Sequence, residues 1–241
     1  MKDPQFILEI ATADLETTRQ AIAGGADRIE LCANLGEGGT TPAYGTMRVC
    51  RETFPVPIFP IIRPRGGDFL YSTDEYRTMQ LEVELARSLG FDGVVFGLLL
   101  RDGRIDLERT ARLRERAYPM ECTFHRAFDR CLDPFQAMEE LIGIGVDRIL
   151  TSGQRLTAPE GIDCITQLQE KANGRIIIMP GSGVRPDNIL SLREKTGCRE
   201  FHTSLRGWRE SQMQFRHSSF SGEKDYLNPN IEEEKVREMR K

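Results

Sequence analysis

Short apolar runs alternate with amphipathic segments eight times along this chain. In the clearest amphipathic segment, 74–89, Tyr76, Met79, Val83 and Ala86 recur at spacings of three and four residues, which predicts a helix with one buried face. The apolar runs have the length and residue types of β-strands. They cover residues 6–11, 28–32, 56–63, 93–99, 121–126, 148–152, 175–180 and 200–205.

The helix boundaries carry their own signals. The segment 133–145 opens with Asp133 as a cap and Pro134 at the first helical position, and the segment 185–197 follows the same pattern. Eight strand–helix units in succession predict an α/β protein, a closed (β/α)8 TIM barrel that forms a single domain over residues 1–241. An open, doubly wound sheet is the alternative, and it requires a change in strand order that the sequence does not reveal.

The C-terminal part departs from this regular alternation. Residues 207–230, GWRESQMQFRHSSFSGEKDYLNPN, predict a long irregular segment after the eighth strand, and residues 231–240 predict the eighth helix. Such a segment would leave the barrel on its catalytic face. It is interpreted as a partial lid or mouth wall, with a subunit contact or a mobile segment as the alternatives.

Several of the apolar runs contain a lone charged or polar residue. Because strand side chains alternate, the parity of each run turns Glu9, Glu30, Arg63 and His125 toward the barrel interior, and His202 is expected beside them. A charge on a buried strand is costly unless it faces a shared polar cavity and finds a partner there. The pattern therefore predicts one polar pocket, and a structural polar network without catalytic function is the alternative.

Two kinds of loop reach the predicted mouth. TFHRAFD at 123–129 places Asp129 just after His125, and the glycine-rich loops 33–45 and 62–72 follow the second and third strands. Chemistry on barrels of this type is found at the carboxyl ends of the strands. The catalytic candidates are therefore Glu9, Glu30, Arg63, His125 and Asp129, with carboxylates or imidazole as acid and base and the arginine as an electrostatic clamp.

MPGSGVRPDN at 179–188 is a second candidate site. Glycines let backbone N–H groups converge on an anion, and the start of the following helix adds its dipole. The seventh strand is also where many barrels hold a phosphate. The predicted anion-binding residues are Gly181, Ser182 and Gly183, completed by Ser204 on the eighth strand.

The six cysteines are scattered, without a spacing typical of a zinc site. Cys32 is expected to face inward near the mouth, and Cys131 lies just beyond the fifth strand. These thiols could offer soft ligands to Cu(I), together with His125. Packing as small apolar side chains is the alternative for both cysteines.

Charge and composition exclude several functions. The net charge is −4 and the pI about 5.6, so nucleic acid and anionic membranes are not expected partners. No apolar run approaches the length of a membrane span, no secretory signal is expected, and the scattered cysteines predict a cytoplasmic protein. None of the six lysines ends a predicted strand, which disfavours Schiff-base aldolase chemistry.

Six motifs of this chain resemble those of the CutC family, the copper homeostasis proteins, and the resemblance is collinear from about residue 6 to about residue 226. It implies a cytoplasmic barrel that forms a homodimer or higher oligomer and takes part in copper tolerance or trafficking. It also implies Cu(I) binding at Cys32, although Ala11 replaces a cysteine that some members carry in the first strand. The motifs are GADRIELC (25–32), EGGTTP (37–42), IRPRGGDFLYS (62–72), TFHRAFD (123–129), RILTSG (148–153) and PGSGV (180–184).

Three functions remain open on the sequence alone. The chain is a copper homeostasis protein whose partner is Cu(I), or an enzyme acting on a small anionic or phosphorylated metabolite by isomerase, lyase or hydrolase chemistry. A non-catalytic binding barrel with a structural polar interior is the third possibility. The sequence does not decide whether the protein is an enzyme.

Overall fold

The computed structural model describes residues 6–219, 222 and 225–241. The strands are β1 (Ile7–Thr12), β2 (Arg28–Leu31), β3 (Ile58–Pro60), β4 (Gly93–Phe96), β5 (Glu121–Phe124), β6 (Arg148–Thr151), β7 (Ile177–Pro180), β8 (Glu200–Thr203), β9 (Arg206–Glu210) and β10 (Leu227–Ile231). The helices are α1 (Leu15–Gly24), α2 (Tyr44–Thr53), α3 (Thr73–Ser88), α4 (Leu107–Ala117), α5 (Pro134–Gly143), α6 (Ile162–Ala172), α7 (Ile189–Thr196) and α8 (Glu233–Glu238).

Strands β1 to β8 are parallel and follow one another around a barrel, which confirms the predicted fold class. Their ladders form two four-stranded sheets, in the orders β3-β2-β1-β8 and β4-β5-β6-β7. A bridge between Ile61 and Val95 joins β3 to β4, and β7 lies beside β8. The predicted strands 56–63 and 93–99 are shorter in the structure, where they end at Pro60 and Phe96.

A proline lies at each of the two seams between these sheets. Ile61 N donates to Leu31 O of β2 and Ile62 N donates to Val95 O, so alternation directs the nitrogen of Pro60 toward β4. In the same way, Gly181 N donates to Thr151 O of β6, which directs the nitrogen of Pro180 toward β8. Proline has no N–H, so both seams lose a ladder hydrogen bond at these positions.

The helices cover the outside of the barrel with their apolar faces. All four residues of the stripe predicted in α3 are buried, and Ser72 and Glu75 form a capping box at its start. The Asp133 side chain accepts hydrogen bonds from Phe135 N and Gln136 N at the start of α5, with Pro134 in the first turn as predicted. The main hydrophobic core lies between these helices and the outward faces of the strands.

A second, smaller apolar cluster lies inside the barrel, formed by Cys32, Phe59, Ile61 and Val95. Gly93 of β4 faces the Phe59 ring so closely that an added Cβ would overlap it. The barrel interior is therefore filled by side chains from several strands, as expected for a cylinder of eight strands.

The expectation of an irregular segment at 207–230 is wrong at both ends. Strand β9 pairs antiparallel with β10, and the side chain of Gln20 in α1 bonds both Asn230 Oδ1 and Ile231 N, each at 2.9 Å. The two strands, RGWRE and LNPNI, lack apolar alternation and therefore carry no strand signal in the sequence. Residues 220, 221, 223 and 224 of the segment lie outside the described residues. The predicted helix at 231–240 is confirmed as the shorter α8.

None of the helices within the described ranges is long and apolar enough to span a membrane.

Candidate active site

A cavity of about 730 Å³ opens at the carboxyl ends of the barrel strands. We call it the central cavity. It is reached by side chains from β2, β8 and the loops after β3, β5 and β6, which is where barrel enzymes place their chemistry. Its lining residues are Glu30, Glu37, Gly38, Ile61, Arg63, Phe69, His125, Arg126, Asp129, Arg130, Leu150, Gln154, Arg155, Leu156, Glu160 and His202.

Arg63 is buried in the wall of this cavity, with 4% of its surface exposed. Its Nη1 donates to the carbonyls of Glu37 (2.9 Å) and Gly39 (2.7 Å), and its Nη2 donates to Gly67 O (3.0 Å), so it joins the two glycine-rich mouth loops. Within the described residues, its Nε has no hydrogen-bond partner, and its Nη groups bond backbone carbonyls rather than a carboxylate. Among the residues that the structure describes, the guanidinium is therefore a buried positive charge without a counter-ion.

His125, which follows β5, is equally buried at 4% exposure. Ala127 N donates to its Nδ1 at 3.2 Å, so the proton of the neutral ring is on Nε2, and that atom has no partner among the described residues. Gly97 makes room for the ring, because a Cβ there would lie 2.6 Å from the imidazole Cε1. Burial, with the Arg63 charge, lowers the pKa of His125 to about 3, so the imidazole is neutral near pH 7.

Phe69 holds these basic groups in place. Its ring centroid lies 5.1 Å from the Arg63 guanidinium, 5.3 Å from that of Arg130 and 4.9 Å from the His125 ring. Stacking of guanidinium groups on an aromatic ring is favourable and restricts their orientation. Neither Phe69 nor Arg130 was predicted as a site residue, and their position in mouth loops was the signal that could have found them.

Glu30, His202 and Glu9 form a chain across β2, β8 and β1. His202 Nδ1 lies 2.8 Å from Glu9 Oε1, and His202 Nε2 lies 3.6 Å from Glu30 Oε2. Burial alone would lower the pKa of His202, but the carboxylates of Glu30 and Glu9 raise it overall. Burial raises the pKa of Glu30, opposed by His202 and reinforced by Glu9. The shifts of both groups favour a proton held between Glu30 and His202, and both residues line the central cavity.

Glu9 itself lies outside the cavity lining. It is fully buried and bonded to Arg28. Burial alone would raise the pKa of Glu9, but the Arg28 charge and the His202 hydrogen bond outweigh this effect. The pKa of Glu9 is therefore well below its usual range. The structure therefore brings together four of the predicted interior residues, namely Glu30, Arg63, His125 and His202, at the cavity. Glu9 lies behind His202, where it can act by orienting the imidazole.

A buried ionic network continues from Glu9 toward the other end of the barrel. Arg28 Nη2 donates to Glu200 Oε2 at 2.6 Å, and Arg148 Nε donates to the same oxygen at 2.6 Å. Both guanidinium groups lie over the Phe59 ring, at 5.1 and 5.6 Å. Arg28, Arg148 and Glu200 were not predicted from the sequence, although Arg28 shares its parity with Glu30 and Cys32.

Asp129, predicted as a catalytic residue, lies in the cavity wall with its carboxylate occupied. It accepts from Thr151 Oγ1 (2.5 Å), from Ser152 N (2.9 Å) and Oγ (3.0 Å), from Gln154 N (3.2 Å) and from Arg126 Nε (2.7 Å). These bonds connect the loop after β5 to the loop after β6. The catalytic role stays a prediction, while the contacts describe a residue that shapes the wall.

Replacement of Asp129 by asparagine is expected to lower the free energy of unfolding by about 2–3 kcal/mol, because the amide offers one acceptor oxygen and leaves Arg126 without its charge partner. Urea unfolding followed by circular dichroism measures the loss. Asp187→Asn, at an exposed position, is the matched control and should change stability by less than about 0.5 kcal/mol. Equal effects of the two variants would contradict this role.

The four residues predicted to bind an anion do not form one site in the structure. Gly181 N donates to the β6 ladder, and Ser182 Oγ donates to Leu156 O at 2.9 Å, so both groups serve the fold. Gly183 and Ser204 line a separate groove of about 620 Å³ with Arg206. Anion binding by Gly181, Ser182, Gly183 and Ser204 stays a prediction.

The two cysteines predicted as copper ligands pack in different clusters. Cys32 belongs to the cluster inside the barrel, and Cys131 belongs to the core under the helices. Burial, with Glu30, raises the pKa of the Cys32 thiol well above its usual value, and burial, with Asp129, raises that of Cys131 to about 12. Among residues 6–219, 222 and 225–241, no three His, Cys, Asp or Glu side chains are grouped so that they could hold a metal.

The fold and the site together define a class, that of parallel (β/α)8 barrels with a polar cavity of acidic and basic side chains at the carboxyl ends of the strands. Within this class, the chain belongs to the CutC family, whose model matches residues 6–207. The family resemblance of the sequence motifs is thereby confirmed.

Individual relatives agree with this assignment. A family protein CutC of Chromobacterium violaceum is 48% identical over 238 residues, covering 97% of this chain and 96% of that protein. A human relative named copper homeostasis protein cutC homolog is 47% identical over 214 residues, covering 89% and 78%. The crystal structure of a CutC protein from Streptococcus agalactiae superposes with a TM-score of 0.79 at 32% identity, covering 83% of this chain and 98% of that one.

Proposed function

We propose that this protein is an enzyme that performs acid–base chemistry on a small anionic metabolite, carboxylated or phosphorylated, in the central cavity. The observation that carries the proposal is the buried Arg63 guanidinium, which has no counter-ion within the described residues and lies in the same wall as the unpartnered Nε2–H of His125. A buried charge without a partner is costly, so an anionic ligand would relieve that cost.

Glu30 is the acid and base of this proposal. It lines the cavity, burial raises its pKa, and His202 Nε2 lies 3.6 Å from its Oε2. A carboxyl group whose pKa approaches the working pH both accepts and returns protons efficiently. Glu9 and Arg28 act behind this pair by orienting His202 and setting its charge.

The cavity lining favours proton transfer over imine formation. Among the described residues that line it, none is a lysine, so no amine is available there to form a Schiff base.

Direct copper binding is the weaker candidate. The names of the human and mouse relatives connect those proteins with copper homeostasis. A Cu(I) site needs thiolates, whereas Cys32 and Cys131 are buried thiols with raised pKa values in separate clusters. These residues do not fit Cu(I), and no step of the proposed chemistry involves it. Cytoplasmic location and homo-oligomer formation stay predictions from the sequence.

The proposal is tested by anion binding. The wild-type protein is expected to bind inorganic phosphate or malonate in isothermal titration calorimetry. Arg63→Met should weaken binding at least about ten-fold, since a hydrogen bond to a charged group contributes about 1.5–3 kcal/mol. Circular dichroism and thermal melting are used to test whether Arg63→Met and Arg63→Lys are folded.

The matched control is Arg175→Met, which removes an arginine from an exposed pair with Glu139 and should leave anion binding unchanged. Failure of the wild-type protein to bind either anion would refute the proposal. So would a folded Arg63→Met variant with wild-type affinity.

A further inference from the structure

The geometry around His125 points to a narrower substrate class, and this inference rests on the proposed function. We propose that the substrate is a carbonyl compound that also carries an anionic group. The reaction removes and returns a proton on the carbon next to the carbonyl, while the carbonyl oxygen accepts a hydrogen bond from His125 Nε2–H.

His125 is held in one tautomer. The backbone N–H of Ala127 occupies Nδ1 of this cavity-lining residue, so the remaining ring nitrogen, Nε2, is a donor. That donor is buried and has no acceptor among the described residues. Buried donors in native structures have acceptors, so an oxygen of the ligand is the expected partner.

The neutral charge of the His125 ring favours one kind of chemistry, the stabilisation of an enolate. Burial and the neighbouring Arg63 keep the imidazole neutral, so it does not serve as a proton source near neutral pH. A neutral N–H held in a site of low dielectric stabilises negative charge that develops on an oxygen, without giving up its proton. An enolate oxygen develops this kind of charge, whereas a leaving group that departs with a proton needs an acid.

The base approaches the same space from another strand. Glu30 lines the cavity from β2, and His202 supports it from β8. His125 enters from the loop after β5, and the anion clamp Arg63 enters from the loop after β3. The Glu30 base, the His125 donor and the Arg63 charge therefore reach one space from separate strands, as a carbonyl compound with an anionic group requires.

The proton transfer balances without a further reactant. The Glu30 carboxylate takes the proton from carbon, the electrons of the C–H bond form a C=C bond, and the carbonyl π electrons move to oxygen. The resulting enolate is held by His125 Nε2–H. Glu30 then returns the proton on the same face, either to the same carbon, which regenerates the substrate, or to the former carbonyl carbon of a hydroxycarbonyl substrate. In the second case the hydroxyl proton of the substrate moves to the former carbonyl oxygen, which completes an isomerisation.

The test is exchange of carbon-bound hydrogen in D₂O, followed by proton NMR. The probes are pyruvate, dihydroxyacetone phosphate and ribulose 5-phosphate. The wild-type protein is expected to exchange the hydrogen next to the carbonyl of at least one probe. Glu30→Gln and His125→Ala should each slow this exchange at least about 100-fold. His125→Gln keeps a neutral N–H donor and should recover part of the rate, provided that circular dichroism shows a folded variant.

Two results would overturn the inference: absence of exchange with every probe, or a wild-type rate in a folded His125→Ala variant. If phosphate binding depends on Arg63 but no exchange occurs, the inference of a carbonyl substrate is refuted. The proposed anion site is then still supported. If the protein binds neither phosphate nor malonate and also catalyses no exchange, both proposals fail. Arg175→Met is again the control and should exchange at the wild-type rate.

Discussion

Arg28→Met is expected to lower the free energy of unfolding by about 3–5 kcal/mol. Arg28 neutralises the buried carboxylate of Glu9 and the partly buried carboxylate of Glu200, and its side chain is 8% exposed. Removing one member of a buried ionic network leaves the remaining charges without full compensation, which costs far more than loss of a surface pair. Methionine retains most of the side-chain volume and the contact with Phe59, so the loss reports mainly on charge.

Urea unfolding at pH 7, followed by circular dichroism, measures this effect. Arg175→Met is the matched control, because its pair with Glu139 is about half exposed and should contribute less than about 1 kcal/mol. The double variant Arg28→Met/Glu9→Gln should recover part of the loss, because the Glu9 carboxylate is then no longer charged. A single variant as stable as the control would show that the network adds little.

The alternation of strand side chains was enough to assign the polar residues to the right face of the barrel. Glu30, Arg63, His125 and His202 were each assigned to the interior from parity, and the structure places all four at the central cavity. Parity works here because every second residue of a strand in a closed barrel points inward. By the same rule, strand residues of the opposite parity, such as Phe124, face the helices, and Phe124 is buried in the outer core.

Parity does not give the height of a residue along the barrel axis. Glu9 and Glu30 both face inward, yet Glu30 lines the cavity while Glu9 lies behind His202 among the charges of Arg28. The height depends on the stagger between neighbouring strands, which arises from their pairing and cannot be read from one strand alone. The sequence therefore predicted a single polar pocket where the structure has a cavity and a structural ionic layer beneath it.

Contacts between different loops also could not be predicted from the sequence. Asp129 stands in a motif that is typical of a catalytic loop, but its carboxylate bonds Ser152 and Gln154, which lie more than twenty residues further along the chain. Its neighbour Phe128 is buried in the outer core. Such partners are set by the approach of two loops in space, so a residue type and its local sequence do not distinguish a reactive carboxylate from a bonded one.

The second large effect is expected in acid. The native protein should lose about 3 kcal/mol of stability between pH 7 and pH 4 because of His125 alone. Its pKa is lowered to about 3 in the folded state, whereas an unfolded chain has the ordinary value near 6.5. Below pH 6.5 the unfolded state binds a proton that the folded state does not, so stability present above this pH is lost as pH falls, by about 1.4 kcal/mol per pH unit.

His202 does not obscure this effect. Its pKa is raised in the folded state, so its contribution is fully present below pH 6.5 and is lost as pH rises. Carboxylates such as Glu9 also lose their stabilising ionisation in acid, and their contribution must be separated from that of His125. A variant that lacks only the titrating imidazole makes this separation.

His125→Gln is that variant, because glutamine is polar, retains a neutral N–H donor and does not titrate. Urea unfolding at pH 7, 6, 5 and 4 should show a steeper decline for the wild-type protein, with the two curves diverging by about 3 kcal/mol at pH 4 relative to pH 7. His217→Gln, at an exposed position, is the control for loss of an imidazole elsewhere in the chain. Parallel curves for the wild-type protein and His125→Gln would mean that the imidazole accepts a proton in the folded state. The neutral donor on which the carbonyl chemistry depends would then be lost in the same pH range.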